Sequence, residues 1–139
     1  MIVDSGADTC VVGRHAHIIE FIDGKEVSAN SWNGQKTENL RIANAAFAYD
    51  SPTGETIILI YNQSIYAGTH LEDNLLSPMQ CLSSDVSIDI RPKLFFPNEP
   101  DAQSMRLADM VIGLAYHGPL PYTYTRRIQY MSTLRHDTK

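Results

Sequence analysis

Ile2-Val3-Asp4-Ser5-Gly6-Ala7-Asp8-Thr9-Cys10-Val11-Val12 is the stretch whose reading decides the fold. An apolar pair delivers an aspartate into a Ser-Gly turn, and Val11-Val12 carry the chain away. Such a pattern predicts two short buried strands, Ile2–Val3 and Cys10–Val12, joined by a turn that presents Asp4. Two turns of this kind facing each other bring two carboxylates together. Like charges at that range cannot both ionise, so the pair holds one proton between them. One carboxyl then serves as acid while the other draws a proton from water. Asp-Ser-Gly alone is a weak signal, because turns favour all three residues, and a strand-end turn with a solvated Asp remains the plain alternative. Flanking apolar residues and Ala7-Asp8-Thr9 strengthen it.

This stretch resembles the active-site strand and turn of retroviral and retrotransposon aspartic proteases, the retropepsins. A second run, Asn74-Leu75-Leu76-Ser77-Pro78-Met79-Gln80-Cys81-Leu82 followed by Val86-Ser87-Ile88-Asp89-Ile90, is similar to that family's short helix and closing strand. Copia-type retrotransposon polyproteins carry a comparable Asn-Leu-Leu-Ser run after the protease motif. The resemblance spans residues 1–91. It implies an all-β fold, a small closed barrel with one short helix, with residues 92–139 as an extension toward the next polyprotein segment. Only three residues precede Asp4, where the family has a further strand in its dimer sheet, so an N-terminally truncated piece of a longer reading frame is expected.

The resemblance also assigns roles. Asp4 is the catalytic carboxyl, Ser5 anchors the opposing loop, and Gly6 permits close backbone approach. Ala7 leaves room for a peptide and Asp8 bonds its backbone. No second Asp-Ser-Gly or Asp-Thr-Gly is present, since Asp50-Ser51 runs into Pro52. One carboxyl per chain implies a homodimer with Asp4 on both sides of a two-fold axis. The implied substrate is the element's own polyprotein, and the implied setting is the cytoplasm, inside virus-like particles. The family often has Arg after the glycine of the strand that crosses beneath the turn, paired with the residue at position 8 here. Thr69-His70 follows Gly68 instead, leaving Arg14 or Arg91 as substitutes. Ile65-Tyr66-Ala67-Gly68 is the preferred crossing strand, and Val111-Ile112-Gly113 mimics it.

Further elements follow from turn chemistry and periodicity. Asp23-Gly24 reads as a turn with hairpin character. Asn33-Gly34 is the stronger hairpin cue, because both residues tolerate the positive φ of a type I′ turn. It sits where a retropepsin has its flap, so Trp32 and Gly34 are expected to cover substrate; a plain surface hairpin is the alternative. Asp50-Ser51-Pro52-Thr53-Gly54 is a turn, and Ile57–Tyr61 is the clearest strand. Asp73 or Asn74 is expected to cap a helix running through Cys81, with Pro78 in its first turn. Val86, Ile88 and Ile90 alternate with polar residues as in a half-buried strand. Pro92 to Pro100 reads as an irregular link, Met110–Tyr116 as one strand, and Tyr122 to Thr125 as another.

Composition narrows the alternatives. The chain has 139 residues, a formal net charge of −5 and a hydrophobic fraction of 43%, enough for one core. Residues 1–91 hold 12 of the 16 acidic residues and 5 of the 11 Lys and Arg, which disfavours direct nucleic-acid binding. No apolar run reaches membrane-span length and no secretory leader is evident, so no membrane partner is expected. Cys10 and Cys81 are too few for a disulfide framework and lie in apolar segments, as core thiols of a reducing compartment would. Cys10, His15 and His17 lack a clear fourth ligand, so no metal and no cofactor is expected. There is no nucleophile elbow around Ser31, Ser51 or Ser64 and no Gly-rich phosphate loop. A catalytically inactive fragment, or a domesticated β-domain that binds peptides or partner proteins, stands as the rival.

Overall fold

A computed structural model describes residues 1–30 and 34–128. It is all-β with one short helix. The strands are β1 (Ile2–Val3), β2 (Val11–Gly13), β3 (His17–Asn30), β4 (Lys36–Asp50), β5 (Thr56–Gly68) and β6 (Leu75–Leu76). Helix α1 (Pro78–Ser83) follows. Then come β7 (Val86–Asp89), β8 (Ser104–Leu107), β9 (Met110–Gly113), β10 (Ala115–His117) and β11 (Leu120–Tyr122). The larger sheet has the order β10-β11-β1-β6-β2-β5-β4-β3, and β7-β8-β9 make a second. Among the described residues β10 and β3 remain the two ends of an open sheet, where a small closed barrel was expected.

The core explains why these segments are strands. Val3, Val12, Phe47, Leu59 and Leu76 from the large sheet pack with Met105, Ile112 and Leu114 from the 104–114 region, all at most 5% exposed. Phe47 and Tyr61 meet edge to face at 5.0 Å. Burial of such side chains stabilises by about 1.5–3 kcal/mol each. The strand β4 lies between β5 and the edge strand β3, and its Ala43, Ala45, Ala46 and Ala48 are buried on both faces, so the expected mixed apolar segment is a run of small residues. Because β3 starts opposite Ala46, the edge of β4 beyond it is vacant, and Arg126 bridges to Ala48 there. Ile128 then packs on Ala46 and Ala48. Residues 92–139, expected as an extension, therefore supply β8 against β7 and β11 against β1.

Several expectations are corrected. Asp23-Gly24 does not turn the chain back. Gly24 (φ 73°) sits inside β3, in the stretch Phe21–Glu26 where its register with β4 shifts. A positive-φ glycine inserted between two apolar runs reads like a hairpin, but here it makes a bulge. The true hairpin is the later one: Asn30 pairs with Lys36, and Gly34 before β4 has φ 85°; Asn33 lies outside the described residues. The helix cap is Ser77 rather than Asp73 or Asn74; its hydroxyl accepts from the Gln80 amide at 3.1 Å, and Pro78 occupies the first turn. Met110–Tyr116 is broken at Leu114, whose amide donates to the Gln103 carbonyl at 2.9 Å, and becomes β9 and β10 in different sheets. The 122–125 strand ends at Tyr122. The turn at 50–54 is as expected, with Gly54 at φ 91°.

Candidate active site

The apolar residues flanking Asp4 are anchored. Val3 and Val12 are buried, and between their strands runs β6. It is parallel to β1 (Ile2 opposite Leu75, Val3 opposite Leu76) and antiparallel to β2 (Val11 opposite Leu75). The strand beneath the turn is therefore Leu75–Leu76, not Ile65–Gly68, which pairs on the far side of β2. The physical reason is length. A two-residue strand fits the gap between the arms of the turn, whereas Ile65–Gly68 is the end of a 13-residue strand already committed to β4.

Residues 74–80 grip the turn by its backbone. The Ile2 amide donates to the Asn74 carbonyl at 2.8 Å, and the Asp4 amide to the Leu76 carbonyl at 3.0 Å. The Asn74 side chain, buried, accepts from the Gly13 amide at 2.7 Å. The Ser77 hydroxyl, also buried, donates to the Ala7 carbonyl at 2.8 Å. The Gln80 side chain accepts from the Cys10 amide at 2.6 Å. Each side chain satisfies a backbone group of a distant segment in a buried or partly buried place, so each loss would leave that group short of a partner. Asn74, Ser77 and Gln80 carry none of the roles that the sequence assigns to site residues. The signal for them is the quoted Asn-Leu-Leu-Ser run, whose polar ends flank a two-residue strand.

On this frame Asp4, Ser5, Gly6, Ala7 and Asp8 form one tight turn. The Ala7 amide donates to the Asp4 carbonyl at 3.1 Å, and the Gly6 amide to Asp4 Oδ1 at 3.0 Å. Asp4 is half-buried, while Ser5 and Gly6 are exposed. Oδ2 of Asp4 has no hydrogen-bond partner among the described residues. One carboxylate oxygen is thus fixed by the backbone and the other is open. A Cβ at Gly6 would lie 3.3 Å from Asp4 Oδ1, tight enough to push the carboxylate off that amide.

The substrate-binding expectations divide. Ala7 is half-buried and its main chain is used internally. Asp8 is exposed, and its carboxylate makes no ion pair or hydrogen bond among the described residues. Neither proposed arginine reaches it: Arg14 pairs with Glu72 at 3.1 Å and Arg91 with Asp89 at 2.7 Å. Gly34 is exposed at the far end of the β3–β4 arm, with nothing within 4 Å of a Cβ built there. Trp32 lies outside the described residues, as do Ser31 and Asn33.

His15 belongs to a surface cluster, hydrogen-bonded to Glu72 at 3.0 Å. Those contacts hold the Glu72 carboxyl below its ordinary range, chiefly through His15 and then Arg14. No group of His, Cys, Asp or Glu among the described residues is arranged to hold a metal ion. No helix among them is long and apolar enough to cross a membrane. Comparison with protein-family models, curated proteins and solved structures finds no match to this chain.

Proposed function

We propose that this chain is a retropepsin-type aspartic endopeptidase, one half of a homodimer, that processes the polyprotein of a copia-type retrotransposon. The observation that carries the reading is the strand Leu75–Leu76 threaded between β1 and β2, holding a half-exposed Asp4 on a rigid turn. An aspartate that were only a turn residue would need no such frame. With Asp4 of a second copy across a two-fold axis, the two carboxyls share a proton and hold a water between them. One takes a proton from the water as it attacks the scissile carbonyl; the other gives its proton to the developing oxyanion. The Gly6 amide keeps Asp4 Oδ1 in place during the exchange. Ser5, exposed at the tip, faces outward as a loop-anchoring hydroxyl would. Asp8, free of any ion pair, is available to accept a peptide N–H. The β3–β4 arm, with Gly34 at its far end, acts as the flap over an extended peptide.

A second reading, a peptide-binding β-domain without catalysis, draws on one feature. Both edges of β1 are occupied, by β6 and β11, so a second chain cannot add its strand there. A dimer would then form elsewhere, through the turn tips or through an open edge such as β10 or β3.

Kinetics separate the two. The chain, incubated with an unfolded protein substrate at mildly acidic pH, is expected to cleave it, with inhibition by a statine-type peptide. The rate should rise as the square of chain concentration where monomers predominate. Asp4→Asn keeps an acceptor for the Gly6 amide but cannot ionise, and should lower the rate by about 10²–10⁴-fold. Cleavage by Asp4→Asn at the parent rate, or a strictly monomeric chain that cleaves nothing, refutes the proposal.

A further inference from the structure

Both cysteines lie under the Asp4 turn, at the join between β2 and α1. Cys10 directly precedes β2 and is buried; Cys81 is in α1 and half-buried; neither is in a disulfide. The two side chains border the same cavity, and Cys10 Sγ accepts from the Ser77 amide at 3.2 Å. Both line a cavity of about 230 Å³ together with Leu59, Tyr61, Gln80 and Met105. That is room for several water-sized molecules. Tyr61 is close enough to interact electrostatically with both sulfurs, and its hydroxyl is buried with no hydrogen-bond partner among the described residues. An inert pair of core thiols would need neither a shared cavity nor a backbone amide aimed at one sulfur.

We propose that Cys10 and Cys81 are a reversible disulfide-forming site, oxidised by a small peroxide that enters the cavity they share. The two sulfurs have unequal parts. The neighbouring Cys81 side chain and the hydrogen bond from the Ser77 amide favour the Cys10 thiolate and outweigh its burial, so its pKa lies below the ordinary thiol value. Cys81 is held as a thiol: the adjoining Cys10 sulfur, and then burial, push its pKa well above the ordinary thiol value. The Cys10 thiolate attacks a peroxide oxygen: an S–O bond forms, the O–O bond breaks, and the departing hydroxide takes up a proton as water. Cys81 then loses its proton and attacks Cys10 sulfur; the S–S bond forms and the S–O bond breaks, releasing a second water. Two thiols give up two electrons and the peroxide receives them. The product ties α1 to the entry of β2, within the same frame that holds Asp4. Nothing in this proposal depends on proteolysis.

The test uses the full chain, reduced, freed of reductant and treated with hydrogen peroxide. Thiols are then alkylated under denaturing conditions and the intact mass is read. Two alkylatable thiols are expected to fall to none, with loss of two hydrogens, no chain-to-chain product, and a Cys10–Cys81 cross-linked peptide. Dithiothreitol should restore both thiols. Cys81→Ser should stop at a Cys10 sulfenic acid that dimedone traps. Cys10→Ser should leave Cys81 oxidised at least about tenfold more slowly. Should either variant fail to fold, the cross-linked peptide from the parent chain still decides. Thiols that stay alkylatable, disulfides only between chains, or independent oxidation of each cysteine to a sulfinic acid would overturn the proposal.

Discussion

The Asp4 turn and the β3–β4 arm hold their shape by opposite means. The turn has almost no regular structure: β1 and β6 are two residues each and β2 is three. It is fixed instead by Asn74, Ser77 and Gln80, which bond backbone groups more than sixty positions away in the chain. The arm has strands of 14 and 15 residues. Yet its outer part is exposed, its register shifts three times, and the Lys36–Glu38 contact there is a 3.5 Å surface pair. Strand length therefore says little about which part of a fold is immobile. Long-range side-chain bonds to buried backbone hold a group in place; an exposed ladder leaves an element able to bend.

Two glycines test the contrast most severely. At Gly13 a Cβ would lie 2.2 Å from the Leu71 carbonyl oxygen, backbone that cannot move aside without dragging the 71–77 segment. Gly13→Ala should destabilise by about 3 kcal/mol, read as a lower denaturant midpoint. At Gly24 nothing lies within 4 Å, and only its positive φ opposes a side chain. Gly24→Ala should cost about 1 kcal/mol. Equal losses at the two sites would remove the distinction between frame and arm.

Ser77→Ala gives the next largest effect. Its hydroxyl both caps α1 and bonds the Ala7 carbonyl, so its loss removes a cap and strands a backbone acceptor. The expected cost is about 1–3 kcal/mol. Amide hydrogen exchange should quicken at residues 4–10 and 78–83, and stay unchanged in the distal arm.

Acid should produce the smallest change. Glu72 is held below its ordinary value of 4.5 by His15 and Arg14, and Asp89 below 3.8 by Arg91. A carboxyl with a depressed native pKa stabilises the fold above its unfolded value, and that contribution is lost as pH falls through the native one. Stability should therefore decline modestly as pH drops below about 4, because these pairs are solvent-screened. Glu72 lies beside the frame, so exchange at 13–15 should quicken there before the arm responds. In Glu72→Gln that local response should vanish.

The sequence was legible where chemistry is local. The Asp4 turn, the Asp50–Gly54 turn, the positive φ of Gly34 in the β3–β4 hairpin and Pro78 in a first helical turn follow from residues that suit those conformations. It misled where a local signal has two outcomes: Asp23-Gly24 serves a bulge as well as a hairpin. It was silent where pairing is decided at a distance. Leu75–Leu76 and Ile65–Gly68 are both apolar runs able to cross beneath the turn, and only the commitment of β5 to β4 leaves the shorter one free. The strand Ser104–Leu107 carries no alternation strong enough to announce it after a proline-rich link. Its Met105 is nonetheless among the most buried side chains. Asp8 lacks the arginine that was expected to pair with it, since Arg14 and Arg91 found nearer acids.

Mixing tests the central claim most directly: that each of two identical chains supplies one Asp4. Parent chain at fixed concentration is titrated with increasing Asp4→Asn chain, and cleavage of a peptide substrate is followed. A shared pair predicts progressive loss of activity, as parent chains are drawn into mixed dimers with a single ionisable carboxyl. Activity that stays constant under excess Asp4→Asn would mean that one chain suffices, and would contradict the claim.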